Sequence, residues 1–405
     1  MDRFLEKATA IREEIIKDRR AIHRHPEVGF DLSETAGYVM ARLSEMGIEA
    51  HILGGPLDPA VCEQFELPTT EKSTGVVATI GSGQPCIMLC ADMDALPMTE
   101  TPGLCDFTSE NPQAAHTCGH DSHTAMLLGA ARILKEMEAE LPGTVKFMFQ
   151  TGEEYGCGSR LMIEKGLLEN PTVDAAFALH VAPDQKCGVL GYTEGICSAA
   201  MDTYIVKILG KGGHTSQPQL TIDPLMIANQ LYTALNLLPG REIDPRETVA
   251  LSAGVCGGGT ATNIIPDTAD LMIAARTFNR DVSAHLCERI PEMIDHVIKM
   301  WRGDYTLRSI HTPSTYTDVD LARELVPYIR QIVGEKGIHT MPCMAATEDF
   351  SHVSNRVPAM FCWLGAGAPG NKPVHNPSMV LDENCFPVGT AVLCAVAWNY
   401  LNARR

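Results

Sequence analysis

The chain has no apolar run approaching the roughly 20 residues that cross a bilayer. Its N-terminus, Met1 to Arg20, reads as a charged amphipathic helix and not as a signal peptide. Neither a membrane role nor export is expected, and the expected compartment is the cytoplasm. Fourteen cysteines are present, but no CxxC pair. They are spread through strand-like runs such as Cys86, Cys90, Cys362 and Cys394, as buried free thiols in a reducing compartment would be. Positive charge is scarce: the formal net charge is −18, which repels nucleic acid and anionic membranes, so an anionic substrate needs a local patch. Aromatic residues make up 6% and show no stacking pattern. Internal repeats and low-complexity tracts are absent. Gly257–Gly258–Gly259 lacks the strand-turn-helix frame of a phosphate loop, and a hairpin or loop is expected there.

What remains is a long chain of ordinary globular composition. Its 405 residues favour two domains, with 45% hydrophobic and 20% charged residues. From Arg20 to about Thr193, short apolar runs alternate with helical ones, the rhythm of a parallel sheet covered by helices. Cys86–Ala91, Thr144–Phe149 and Ala175–Leu179 read as strands, and Ser122–Leu141 as a helix capped by Asp121 and stopped at Pro142–Gly143. Near Ala199 the order becomes strand (200–209), helix (223–238), two strands (248–256, 268–278), helix (282–300) and strand (305–310), a split βαβ arrangement with helices on one face. The expected architecture is α/β: a mostly parallel, helix-covered sheet formed by 1–197 and 311–405, with an inserted ferredoxin-like α+β domain at 198–310.

Functional groups in open parallel sheets collect beyond the carboxyl ends of strands. Asp92 and Asp94, the pair Glu153–Glu154, His180 and His375 all follow strand-like runs. Cys118 and His120 immediately precede a helix, whose N-terminal partial charge favours a thiolate. They look like a metal-binding pair, while His116 and His123 are as readily structural. Asp92 and Asp94 alternate on an extended segment and share a side, placed to orient a histidine through its other ring nitrogen. Adjacent carboxylates such as Glu153 and Glu154 resist joint ionisation unless cations share the site or their work is divided, one binding metal and the other moving protons.

Several of these stretches resemble a known family. They are Ile22–Glu27, Ala91–Pro97, His116–Thr124, Thr151–Glu154, Gly210–Pro218 and Thr347–Ser351. Together they are similar to the metal-dependent amidohydrolases of the aminoacylase and carboxypeptidase superfamily. The Cys–Gly–His form of the motif resembles the branch with hippurate hydrolases, indole-acetyl-amino-acid hydrolases and N-acetyl-diaminopimelate deacetylases. The resemblance implies hydrolysis of N-acyl amino acids at a centre of two divalent ions, zinc or manganese first, cobalt or nickel also suited. It implies Cys118, His120, Glu154, His180 and His375 as ligands with Cys118 bridging, and Glu153 as general base. It further implies that the inserted domain is a lid that forms a homodimer, and that His214 reaches the scissile carbonyl in its own or the other subunit's site. Asn263 and Arg276 would hold the substrate carboxylate. A dipeptidase or carboxypeptidase-like hydrolase is the runner-up. A thiol hydrolase with Cys118 as nucleophile and His120 or His123 as base is the rival from another class, and a non-catalytic metal-binding scaffold is a further one.

Overall fold

The computed structural model describes residues 2–367 and 370–405. Two compact units emerge: one takes the chain up to Cys197, Thr315–Cys343 and Asp349–Arg405, and the other Ser198–Ser314 with Met344–Glu348. The second unit extends past the expected end at 310 because its last strand, Asp304–Thr312, runs two residues further. Residues 344–348 join it through backbone bonds from Ala199 N–H to the carbonyls of Met344 and Ala346, 3.1 and 3.0 Å.

The first unit is built on a mixed sheet in the order Ala50–Ile52, Val76–Gly81, Thr144–Gln150, Cys86–Asp92, Ala175–Lys186, Ala359–Gly367, Leu190–Tyr192 and Ile338–Thr340. Its four central strands, Thr144–Gln150 to Ala359–Gly367, run parallel. Their neighbours on either side, Val76–Gly81 and Leu190–Tyr192, are antiparallel to them. Every residue of Cys86–Asp92 and Thr144–Gln150 is buried, which is why these strands read as mostly apolar runs; buried Lys146, within the second, donates to the carbonyls of Leu167, Glu169 and Pro171. The helices His120–Glu136 and Phe386–Asn402 are buried on nearly all sides.

Two local expectations are revised. The N-terminal segment is two helices, Arg3–Ala10 and Arg12–Arg24, broken at Ile11. Asp121 does not cap its helix: Gly119 occupies that position, and Asp121 sits inside the first turn beside Arg19 and His23.

In the second unit, Val249–Gly257, Thr268–Thr277, Ala200–Leu209 and Asp304–Thr312 form an antiparallel sheet in that order. Alternate residues of Ala200–Leu209 are buried. Tyr204, Val206 and Ile208 share a core with Ile227, Leu231 and Leu235 of the helix Pro224–Leu237 and with Leu286, Ile290, Ile294 and Ile298 of Arg280–Met300. The i, i+4 spacing of those leucines and isoleucines gives each helix one apolar stripe.

Candidate metal centre

Strand ends bring the acidic and imidazole groups together. Asp92 closes its strand, Asp94 follows two residues later, and Glu153–Glu154 come just after Gln150. His180 is different from expectation, since its strand continues to Lys186. The pairing with Cys86–Asp92 stops at Cys90 and Ala178, however, so His180 lies past the last paired residue, level with the strand end at Asp92, even though it is mid-strand. His375 takes a left-handed backbone, φ 61°, and its N–H donates to the Thr117 carbonyl at 2.8 Å, one residue before Cys118.

Two glycines make this approach possible. Gly119 has φ 98°, and a Cβ there would stand 2.4 Å from Val181 Cγ2. At Gly152, φ 68°, a Cβ would stand 2.4 Å from the Phe30 ring. Any larger residue would carry backbone strain and a clash at the two turns that deliver Cys118 and Glu153.

Among the described residues, donor atoms of Cys118, His120 and His180 lie within 4.8 Å of one another, and so do those of Cys118, Glu154 and His375. Cys118 is common to both groups. Its Sγ is 3.4 Å from His180 Nε2, and Glu154 Oε1 is 3.2 Å from His375 Nε2. Backbone carbonyls set the tautomers: His120 Nδ1 donates to Asp94 O at 2.9 Å and His180 Nδ1 to Val181 O at 2.8 Å, leaving both Nε2 lone pairs for the site. His120 Nε2 is buried with no hydrogen-bond partner. A buried, unpartnered nitrogen among a thiol and carboxylates suits a cation.

The electrostatics divide: His180 and Glu154 hold the forms a ligand needs, while Cys118 and His120 hold protons that a bound cation would displace. Burial pushes the Cys118 thiol far up, and pushes His180 down to about 3 so that it stays neutral, the form a ligand needs. Burial would also lower His120, but Asp92 and Cys118 outweigh it and hold that ring well above its usual value. Glu154 would rise by burial, yet His375 and His120 keep it below the usual carboxylate range. The pocket favours positive charge.

Asp94 orients His120, adding a contact from Oδ1 at 3.3 Å, and its Oδ2 accepts the Glu154 N–H at 3.1 Å. Asp92 departs from its expected role: it hydrogen-bonds His123 Nδ1, and its Oδ2 lies 3.6 Å from His120 Nε2, on the donor side of that ring. His123 accepts the Val181 N–H at 2.9 Å through Nε2, so both its nitrogens are engaged. His116 is fully buried, and burial pushes it down to about 3.

His214 and Asn263 belong to the second unit, on adjoining segments paired through His214 and Ile264. His214 Nδ1 accepts from Ser216 N–H and Oγ–H at 3.1 and 2.8 Å, which places its proton on Nε2. Arg276 lies on Thr268–Thr277 of that unit and donates to Ala345 O and Thr347 Oγ1 at 3.0 and 2.8 Å. Asp349, which the sequence marks only as part of the Thr347–Ser351 motif, also contributes: its backbone N–H donates to Glu153 Oε1 at 3.2 Å.

The profile of peptidase family M20/M25/M40 matches residues 88–399. The chain belongs to that family. It is accordingly a metal-dependent hydrolase. It is 34% identical to IAA-amino acid hydrolase ILR1-like 4 of Arabidopsis thaliana, over 95% of this chain and 84% of that one. With N-acetyl-L-cysteine deacetylase of Bacillus subtilis it shares 32% identity over 98% and 89% of the two chains. The solved structure of Bacillus subtilis YXEP, described as a dinuclear metal-binding peptidase of family M20, superposes with a TM-score of 0.74 at 29% identity, covering 97% and 99%. No described helix is long and apolar enough to cross a membrane.

Proposed function

We propose that this family member hydrolyses the amide bond of N-acyl amino acids, releasing a carboxylic acid and a free amino acid. The observation that carries this reading is the membership of Cys118 in both donor groups, the arrangement that two divalent ions sharing one thiolate require. Cys118, His120 and His180 would hold one ion, and Cys118, Glu154 and His375 the other. Zinc or manganese is the first candidate, and cobalt or nickel suits the same donors. Ions bound there supply a lowered water pKa and a polarised carbonyl. The relatives lend support, one acting on IAA-amino acids and one on N-acetyl-L-cysteine, while YXEP binds two metals.

Glu153 is the general base. It takes the proton of the water that attacks the amide carbon and hands it to the departing amine nitrogen. The Asp349 N–H holds one of its oxygens in place, which keeps the carboxylate from rotating away. His214, with its proton on Nε2, donates to the carbonyl oxygen as negative charge develops there, in its own or the partner's site. Asn263 and Arg276 hold the substrate carboxylate, Arg276 with the guanidinium donors left over from Ala345 and Thr347.

The second unit is the surface for a homodimer. Exposed Tyr232, Leu237, Val255 and Met272 on it support this, as does the open edge of Val249–Gly257. Fourteen free cysteines support a reducing compartment, the cytoplasm. The deciding experiment is turnover of N-acetyl, N-benzoyl and indole-acetyl amino acids against free dipeptides, with and without added manganese or zinc. Faster cleavage of dipeptides than of every acylated substrate would reject the reading.

A further inference from the structure

Asp202, Cys287 and His311 make a donor cluster of their own, wholly within the second unit. Asp202 sits near the start of Ala200–Leu209, in the row of alternate residues that continues with buried Tyr204, Val206 and Ile208. A carboxylate in that row is unexpected, and it is 1% exposed. His311 lies directly opposite it on the neighbouring strand Asp304–Thr312. Cys287 follows core residue Leu286 on the helix Arg280–Met300. Cys287 Sγ is 3.3 Å from Asp202 Oδ1 and 3.4 Å from His311 Nδ1, and His311 Nδ1 hydrogen-bonds Asp202 Oδ1.

A nucleophilic thiol is one reading of such a trio. Relay of a proton from sulfur needs the thiol on one ring nitrogen and the carboxylate on the other. Here both meet Nδ1, so the ring cannot serve as a relay between them. A simple imidazolium–carboxylate pair is a second reading, but Asp202 Oδ2 is buried with no hydrogen-bond partner, which such a pair leaves unexplained. Sulfur, nitrogen and oxygen donors within 4.8 Å of one another are a set that a cation can gather, replacing the proton shared by His311 and Asp202. In a tetrahedral zinc site, sulfur and its nitrogen or oxygen neighbours stand about 3.5 Å apart, close to the spacing of Cys287 from both partners.

We propose that Asp202, Cys287 and His311 bind a divalent ion of the zinc class, separately from the donors of the first unit. The thiolate and imidazole select zinc or cobalt over magnesium, calcium or manganese. His311, with a side chain 48% exposed, leaves an entry path and room for water as the fourth ligand. The ion would tie the helix Arg280–Met300 to two strands of its own sheet.

Cobalt titration of the full chain in a Cys118→Ser background tests this, because that background removes the thiolate of the other centre. One cobalt–thiolate charge-transfer band is expected, lost on adding Cys287→Ser. Zinc counted by mass spectrometry after gel filtration should fall by one ion per chain from wild type to Cys287→Ser. His311→Gln, a change at a half-exposed ring, should weaken zinc binding at least tenfold if Cys287→Ser fails to fold. A cobalt band that survives Cys287→Ser, or equal zinc content in wild type and both variants, overturns the site.

Discussion

The backbone N–H of Asp349 meets Glu153 Oε1 at 3.2 Å, and the Asp349 side chain is itself fixed by Gln150 Nε2 and by Ser159 N–H. Gln150 ends the strand from which Glu153 emerges, so the amide and the carboxylate it holds are tied to the same strand end. The other oxygen of Glu153 lies 3.9 Å from His120 Nε2. If Glu153 is the base proposed above, its role should be separable from that of the proposed ligands beside it. Glu153→Gln keeps shape and still accepts from Asp349, but it has no charge with which to take a proton. It should retain metal content and fold while kcat falls by about 10²–10⁴, the usual contribution of a general base. Steady-state kinetics with metal analysis on the same sample checks this.

Asp94 accepts on both oxygens, from His120 Nδ1 and from the Glu154 N–H. Asparagine must turn its amide nitrogen towards one of these donors. Asp94→Asn should therefore weaken metal binding by about 10–100-fold, the usual effect of disturbing the group behind a ligand histidine. Competition with a chromophoric chelator measures that loss, and near wild-type affinity would show that the Asp94 carbonyl alone orients His120.

Much of this site was legible because the sequence writes strand ends and motifs locally. Asp94, Glu154 and Cys118 stand where a strand or helix boundary puts them. The roles of Asp92 and Asp349 were not legible. Which imidazole Asp92 faces depends on how the helix His120–Glu136 is rotated against the sheet, and Asp349 acts through its backbone, which no side-chain pattern announces. His180 looked like a strand terminus because the polar imidazole interrupts the apolar run; the strand goes on through Val181 and Ala182, both buried. The helix start differs from its sequence signal for a related reason. An aspartate before an apolar repeat is the ordinary cap signal, but Asp121 is committed to Arg19 and His23 from the N-terminal helix, and Gly119 turns the chain instead.

That commitment has a price in acid. Asp121 is 0% exposed, with Arg19 Nε at 2.7 Å and His23 Nδ1 at 2.8 Å. Burial would raise its carboxyl, yet Arg19 and His23 outweigh burial and hold it well below the usual range. A folded pKa below the unfolded value of about 3.9 gives stability that is complete above that value and drains as pH falls from there towards the lower folded pKa. Asp121→Asn leaves buried Arg19 with only the more distant carboxylate of Glu383, 3.5 Å away, and should cost up to about 3 kcal/mol at neutral pH. Denaturant melts should show the gap between wild type and variant closing as pH drops below about 4; a gap that stays constant would mean that charge is not what Asp121 contributes.

Chelation separates the metal mechanism from a cysteine nucleophile. A thiol hydrolase would have to pass the Cys118 proton to Nε2 of His120 or His180, since His123 is occupied at both nitrogens. Burial also drives the Cys118 thiol up, away from the thiolate a nucleophile must reach unaided. A bound cation reverses that preference, since a coordinating thiol is deprotonated outright. Dialysis against a strong chelator should thus abolish hydrolysis, and manganese or zinc should restore it without any reductant. Cys118→Ser distinguishes the roles further: an alkoxide-poor serine is a weak ligand, so the variant should lose metal affinity and activity together, and raising the metal concentration should recover part of the rate. A variant that keeps full metal content but no turnover would return Cys118 to the nucleophile's role.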